Sequence, residues 1–232
     1  MPERHYVVAA HRPWNRRVFD RELSGLPGRW SYVDTPDELT AAALEALQPD
    51  RVFFLHWSWI VPEKILERWE CVGFHMTDLP YGRGGSPLQN LLLRGHEETV
   101  LTAFRLTREL DAGPVYLKRP LNLAGSAEEI YVRASRTAAG MIAEILRSDP
   151  EPQPQQGKAT TFARRSPKES RLPEDLTELR QVHDFVRMLD AEGYPRAFIK
   201  HGRFRLELSR SVLYDSRVVA DVTITEDPLE EG

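Results

Sequence analysis

The stretch that decides the fold is Gly73-Phe74-His75-Met76-Thr77-Asp78-Leu79-Pro80-Tyr81-Gly82-Arg83-Gly84-Gly85-Ser86-Pro87-Leu88-Gln89. It begins as an apolar strand, places His75 at the strand end and passes through a glycine-rich loop into a helix that opens at Pro87. A second segment, Leu110-Asp111-Ala112-Gly113-Pro114, follows one more strand-like run. Because open α/β sheets bind ligands in the crevice at the carboxyl ends of their strands, we expect His75 and Asp111 to meet there.

The rest of the first two thirds of the chain alternates between strand and helix patterns. Buried strands are predicted over residues 6–10, 30–33, 52–55, 72–74, 100–106 and 115–121. Thr35 with Glu38, and Ser126 with Glu129, form capping boxes that predict helix starts. This alternation predicts an α/β fold, a Rossmann-like arrangement with a mostly parallel sheet.

A change of composition divides the chain near its last third. Residues 149–157 are rich in proline and glutamine and are predicted to form a linker or exposed loop. Beyond them the pattern predicts a helix over 176–189 and short strands over 197–200 and 203–208, with a tight turn at His201-Gly202. We therefore predict a catalytic domain over residues 1–165 and a small C-terminal α+β subdomain over 166–232.

Composition excludes several classes of protein. The 232 residues carry a net charge of −4, which disfavours binding to a polyanion through bulk charge. The single cysteine, Cys71, rules out an internal disulfide and a cysteine-rich metal site, and its apolar surroundings favour a buried inert thiol. No apolar run reaches the roughly 18 residues of a membrane span, and no signal peptide is apparent. The expectation is a soluble cytoplasmic protein with no metal and no membrane contact.

The two segments resemble the 10-formyltetrahydrofolate-dependent formyltransferase family, whose members are similar to methionyl-tRNA formyltransferase. That family's pattern is Asn-x-His, Leu-Pro, Arg-Gly and Pro-x-Gln, followed later by Leu-Asp-x-Gly-Pro. In this chain the matching residues, in order, are His75, Leu79-Pro80, Arg83-Gly84, Pro87, Gln89 and Leu110-Asp111-Ala112-Gly113-Pro114. One position departs from the pattern, because the family's asparagine falls on Gly73.

Formyl transfer to an amine needs two kinds of group, and the resemblance assigns residues to them. The reaction passes through a tetrahedral intermediate, so the site must stabilise an oxyanion and accept a proton. The resemblance implies that His75 is the catalytic histidine and Asp111 the catalytic carboxylate. The alternatives are a core histidine satisfied by backbone, and a turn aspartate capping Gly113. With glycine at position 73, the candidates to replace the missing amide are Gln89, Thr77 and His56.

The resemblance also implies binding residues and the formyl donor, 10-formyltetrahydrofolate. The residues that correspond to the family's pterin site are His56, Trp57, Ser58, Trp59, Ile60, Arg105, Glu109 and Leu110. For the two tryptophans, packing against the following helix is an equally good interpretation. The residues assigned to the substrate side are Met76, Thr77, Tyr81, Gly82, Arg83 and Gln89.

Further resemblances, one of them in the C-terminal part of the chain, indicate which acceptor the protein uses. The segments around 75–84 and 188–195 are most similar to sugar N-formyltransferases of the pseudaminic-acid type, which act in surface polysaccharide biosynthesis. We therefore expect formylation of a nucleotide-linked amino sugar and no nucleic-acid partner, since the acidic end at 226–231 would repel phosphate. Two alternatives stay open: an amino acid or peptide precursor amine, and a folate-binding protein that has lost catalysis. A homodimer is also left open.

Overall fold

The computed structural model describes residues 3–226. The strands, in chain order, are β1 His5–Ala9, β2 Arg29–Val33, β3 Arg51–Phe54, β4 Glu70–His75, β5 Arg83–Gly84, β6 Glu98–Arg105, β7 Val115–Asn122, β8 Thr161–Phe162, β9 Ala197–His201, β10 Phe204–Tyr214 and β11 Arg217–Glu226. The main sheet has the order β2-β1-β3-β4-β6-β7, and smaller sheets are formed by β5-β8 and by β11-β10-β9. In the main sheet β1 pairs in parallel with β2 and β3, and β3 with β4, whereas β4 and β6 are antiparallel.

Helices cover the chain between these strands. They are α1 Pro13–Val18, α2 Ala41–Leu47, α3 Glu63–Leu66, α4 Pro87–Leu92, α5 Ala127–Ser148 and α6 Leu179–Arg187, with a π-helical turn at Phe19–Leu23 and a 3-10 turn at Pro167–Ser170. No helix within residues 3–226 combines the length and the apolar character needed to cross a membrane.

The chain divides into two compact units, each made of discontinuous segments. Unit 1 contains Met1–Gly84, Thr99–Leu121 and Tyr131–Thr161. Unit 2 contains Gly85–Glu98, Asn122–Ile130 and Phe162–Gly232. The boundary at residue 165 stays a prediction.

The core of unit 1 explains why the sequences of the parallel strands are apolar throughout. Residues of β1 and β3, such as Val7 and Val52, are fully buried, and Leu44 of α2 and Ile65 of α3 lie in the same cluster. A parallel sheet is covered on both faces, so alternation between apolar and polar residues disappears. This architecture confirms the predicted α/β, Rossmann-like fold with a small C-terminal sheet.

Helix α2 begins later than the sequence predicts. The capping side chain is Thr40, whose hydroxyl accepts a hydrogen bond from the Ala43 N–H at 3.1 Å. Glu38 instead accepts from the backbone of Asp34 at 3.3 Å, so it does not complete a capping box with Thr35. Leu39 is buried, and the turn that brings it to the core precedes the helix. By contrast, the capping box predicted at Ser126 and Glu129 is confirmed.

The C-terminal sheet is larger than predicted. Strand β10 continues six residues beyond the predicted end at 208, to Tyr214, and pairs with the unpredicted strand β11. An irregularity between Ser209 and Val212, where Arg210 has a φ of 50°, breaks the alternating pattern that would have marked a continuous strand. The tight turn lies one residue later than predicted, at Gly202-Arg203, because His201 is still paired with Phe204 as the last residue of β9. Residues 227–231 of the acidic end lie outside the described residues.

The predicted linker is held to the main sheet. Gln153 forms two backbone hydrogen bonds with Val115, the first residue of β7, at 2.7 and 2.8 Å. The proline-rich segment is therefore bound next to the turn that carries Asp111, which no pattern in the sequence indicated.

Candidate active site

His75 is the last residue of β4, and its ring has a defined orientation. Its Nε2 lies 2.8 Å from the carbonyl oxygen of Gly82. Because a carbonyl only accepts hydrogen bonds, Nε2 must carry a proton, and in the neutral ring Nδ1 is then the free basic nitrogen. The side chain is 10% exposed, which leaves the ring largely shielded from water.

Asp111 lies in the turn between β6 and β7 and faces the free nitrogen of His75. Its Oδ2 is 3.7 Å from Nδ1 and accepts a 2.8 Å hydrogen bond from the backbone N–H of Gly84. The bond to Gly84 joins residues 27 positions apart, so this carboxylate does more than cap its own turn. The structure brings the two predicted catalytic residues together.

This pair can accept a proton and stabilise the charge that results. A proton transferred to Nδ1 creates an imidazolium, which the carboxylate at 3.7 Å favours. The carboxylate is 12% exposed, so the interaction is weakened only modestly by water.

The loop that orients His75 is itself fixed by hydrogen bonds. The Gly82 N–H donates to the Thr160 hydroxyl at 2.8 Å, and the Arg83 N–H donates to the Thr160 carbonyl at 2.9 Å. Gly82 has a φ of 68°, a conformation that favours glycine. The N–H groups before and after the Gly82 carbonyl are therefore both held by Thr160, which keeps this carbonyl directed at His75.

The residues predicted for the substrate side differ in accessibility. Arg83 is partly exposed and pairs with Glu109, which was assigned to the pterin site, at 3.1 Å. Thr77 is fully buried, and its hydroxyl lies 3.4 Å from the Gly82 carbonyl that it donates to. Met76 is buried, and Tyr81 is half-buried. Of these, Arg83 and Tyr81 are open to a ligand.

Gln89 belongs to unit 2 and serves that unit's packing. Its side chain is 4% exposed, and its Nε2 donates to the Met188 carbonyl at 3.0 Å. A role toward substrate for Gln89 stays a prediction.

An aromatic cluster follows β3 and adjoins the end of β1, where the strand order of the sheet reverses. Trp57 and Trp59 lie 4.9 Å apart, and the ring of His11 lies 4.6 Å from that of Trp59. Within residues 3–226, His11 Nδ1 and Trp57 Nε1 are buried and have no hydrogen-bond partner. Ile60 is 90% exposed. Unpartnered polar ring atoms beside exposed apolar groups suit a flat heterocycle at the switch point of the sheet.

The histidines of this cluster are neutral at pH 7. Burial and the Arg12 guanidinium lower the pKa of His11 to about 4. Burial, Arg12 and His11 lower the pKa of His56 to about 3. A ligand in this cluster therefore meets neutral imidazoles.

The remaining residues assigned to the pterin site lie around the Asp111 turn and after β3. Arg105 donates to the Tyr116 hydroxyl at 3.1 Å, and Leu110 is 65% exposed. Ser58 is half-buried. Their role in binding stays a prediction.

Packing leaves no free space for a side chain at position 73, where the family has asparagine. A β-carbon added to Gly73 would lie 2.6 Å from Leu106 Cδ2 and 3.1 Å from Phe104 Cε1. The side chains of Leu106 and Phe104 occupy the space that an amide would need.

No pattern in the sequence indicates that Gln155 and Thr160 belong to the site. Both lie after the predicted catalytic segments, and their signal is only that of polar residues in an exposed stretch. Gln155 contacts Arg83, Asp111 and Gly113 through its side chain.

Comparison with known proteins places this geometry among formyltransferases. Residues 15–144 match the family model described as Formyl transferase, and residues 167–225 match the model described as Methionyl-tRNA formyltransferase, C-terminal domain. Methionyl-tRNA formyltransferase of Thermotoga sp. (strain RQ2) is 29% identical over 171 residues, 70% of this chain and 55% of that protein. The chain thus spans about half the length of the curated relatives it matches.

Solved structures extend the likeness to nearly the whole chain. Methionyl-tRNA formyltransferase from Clostridium thermocellum is 43% identical, with a TM-score of 0.92 over 97% of this chain and 100% of that chain. HypX from Aquifex aeolicus, solved in complex with tetrahydrofolic acid, is 17% identical with a TM-score of 0.74 over 91% of this chain and 38% of that chain, a likeness of fold. Together the family model and the 43% identical structure confirm the predicted formyltransferase family.

The predicted acceptor and partners are wrong. The curated relatives and the 43% identical Clostridium structure are methionyl-tRNA formyltransferases. This finding overturns the expected nucleotide-linked amino sugar, the role in surface polysaccharide biosynthesis and the exclusion of nucleic acid. The closeness to pseudaminic-type enzymes is unsupported as well. Net charge misled the prediction, since a total of −4 says nothing about local basic surfaces.

Proposed function

Because this chain belongs to the formyl transferase family, we propose that it transfers the formyl group of 10-formyltetrahydrofolate to the α-amino group of methionyl-tRNA. The observation that carries the chemistry is the pairing of His75 Nδ1 with Asp111 at 3.7 Å, with the opposite ring nitrogen fixed by Gly82. Support for the acceptor comes from the 43% identity to the Clostridium protein.

The transfer exchanges one bond to the formyl carbon for another. The amine nitrogen attacks that carbon, the bond from the carbon to N10 of the folate breaks, and the attacking nitrogen loses a proton. His75 accepts that proton at Nδ1, and Asp111 stabilises the resulting imidazolium. N10 leaves with a proton, which the imidazolium can return. No net redox change takes place.

The donor is proposed to lie along the aromatic cluster and the Asp111 turn. The residues involved are His56, Trp57, Ser58, Trp59, Ile60, Arg105, Glu109 and Leu110. The unpartnered Trp57 indole N–H and the neutral His11 ring suit the polar edge of a pterin, and exposed Trp59 suits its face.

An exposed basic turn in unit 2 suits a phosphate-bearing acceptor. Lys200 and His201 end β9, Arg203 follows Gly202 in the turn to β10, and all three basic residues are exposed. Arg203 contacts Glu226 at 3.1 Å, an exposed pair that phosphate could replace. Charge reversal at Lys200 should raise the KM for methionyl-tRNA and reduce its dependence on salt, leaving the KM for the donor unchanged.

The experiment supplies purified protein with 10-formyltetrahydrofolate and methionyl-tRNA, then releases the amino acid and measures its mass. The expected product is N-formylmethionine, formed by the wild-type protein and lost with His75→Asn. Free methionine and tRNA charged with another amino acid test whether both parts of the acceptor are needed. An unmodified amino acid, with wild-type protein that binds the donor, contradicts the proposed acceptor. The cytoplasmic location stays a prediction.

A further inference from the structure

Gln155 differs from its neighbours in the proline- and glutamine-rich segment. Residues 153–159 are exposed except for Gln155, which is half-buried. The preceding backbone is fixed to β7 by the two hydrogen bonds between Gln153 and Val115. The segment thus delivers one side chain into the region of the catalytic pair.

The amide of Gln155 uses its full hydrogen-bonding capacity. Its Oε1 accepts from Nε and Nη2 of Arg83, at 3.2 and 2.9 Å. Its Nε2 donates to the carbonyl oxygens of Asp111 and Gly113, at 2.8 and 2.9 Å. A primary amide has two acceptor sites and two donor hydrogens, so all four are occupied. Glutamate lacks both donors, and asparagine is one methylene shorter.

These hydrogen bonds hold a turn whose backbone conformation is intrinsically unfavourable. Asp111 has a φ of 52°, a left-handed conformation that non-glycine residues rarely adopt. A β-carbon on Gly113 would lie 1.8 Å from the Arg105 carbonyl, so the turn has little room to relax in that direction. By binding the carbonyls on both sides of Ala112, the amide keeps the turn in the geometry that directs the Asp111 carboxylate at His75.

We propose that Gln155 is a positioning residue that fixes the Asp111 turn and ties it to Arg83. It touches no reacting atom. It acts through Asp111, whose carboxylate must stay 3.7 Å from His75 Nδ1, and through Arg83, which lies on the predicted substrate side. The effect on turnover rests on the proposed function, whereas the effect on the turn does not.

The first test compares turnover in three variants. Gln155→Ala should lower kcat by about 10- to 100-fold, because a displacement of around 1 Å near the chemistry can cost that much. Gln156→Ala, an exposed neighbour, is the matched control and should keep wild-type turnover. Gln155→Glu retains the acceptor for Arg83 but loses both donors. Its turnover relative to wild type should rise as pH falls, since a protonated carboxyl regains one donor.

The second test needs no substrate. Amide hydrogen exchange, read by mass spectrometry, should be about five- to tenfold faster for Gly84 and residues 110–113 in Gln155→Ala and Gln155→Glu than in Gln156→Ala. Exchange in the core strand β1 should be the same in all three, which excludes general unfolding. If wild-type protein fails to formylate methionyl-tRNA but exchange changes as stated, only the proposed acceptor falls. Equal exchange in Gln155→Ala and Gln156→Ala overturns the positioning role.

Discussion

Gly73 offers the sharpest test of the packing behind strand β4. Gly73 lies in β4, two residues before His75, where the family pattern has asparagine. The added β-carbon of Gly73→Ala would meet Leu106 Cδ2 at 2.6 Å, well inside ordinary van der Waals contact. We expect the variant to be less stable than wild type, although alanine generally favours folding by restricting the unfolded chain.

The expected loss of stability in Gly73→Ala depends on which atoms must move. Overpacking of a core costs about 1–3 kcal/mol. The nearest atom is the end of the Leu106 side chain, which can rotate, so the lower half of that range applies. Alanine also restricts the unfolded chain, which offsets about 0.4–1 kcal/mol of this loss in the free energy of unfolding. The net expectation is a loss of about 0.5–1 kcal/mol, rising for Gly73→Asn because its amide must displace more of Leu106.

The assay is urea unfolding followed by tryptophan fluorescence, with Leu106→Ala completing a double-mutant cycle. Leu106→Ala alone should destabilise the protein because it leaves a cavity. In the double variant, however, it removes the Cδ2 atom that the new β-carbon would contact too closely. The two changes should therefore couple favourably, by about 1 kcal/mol. Strictly additive effects, or a Gly73→Ala variant as stable as wild type, would refute the packing argument.

Three further predictions concern buried groups. Burial raises the pKa of Cys71 to about 12, so the thiol should not react with a disulfide reagent at pH 8 until urea unfolds the protein; rapid reaction of folded protein would contradict this. His11 and His56 have pKa values lowered to about 4 and 3, so the unfolded chain binds more protons below about pH 6.5. The free energy of unfolding should therefore fall from pH 7 to pH 5, less steeply in His56→Asn, and a flat profile would disagree. Ser135→Ala removes the hydroxyl that donates to buried Asn15, which should cost about 1–3 kcal/mol in urea unfolding; no loss would mean that water replaces it.

The sequence allowed the contact between His75 and Asp111 to be predicted because each residue stands within its own motif. His75 ends β4 and Asp111 lies in the turn after β6. Because these two strands are antiparallel, it is this turn that brings the Asp111 carboxylate within 3.7 Å of His75 Nδ1. Gln155 escaped prediction because its contact with Arg83 joins residues 72 positions apart and leaves no local pattern. Propensity alone cannot show such a contact.

Other features failed for different physical reasons. The start of α2 was misplaced because two threonines, Thr35 and Thr40, are both good caps, and burial of Leu39 selects the second. The acceptor was misjudged because the catalytic motif specifies how a formyl group moves and carries little information about which amine receives it. Acceptor recognition depends on surfaces that local patterns describe poorly.

The most direct test of the central claim is the rate of formyl transfer to methionyl-tRNA by wild-type protein and by His75→Asn, each saturated with 10-formyltetrahydrofolate. Gln156→Ala serves as a control for substitution elsewhere in unit 1. If His75 Nδ1 accepts the amine proton, wild-type protein forms N-formylmethionyl-tRNA and His75→Asn loses about 100-fold or more in kcat with its unfolding midpoint little changed. A His75→Asn protein that keeps most of the wild-type kcat would contradict the account.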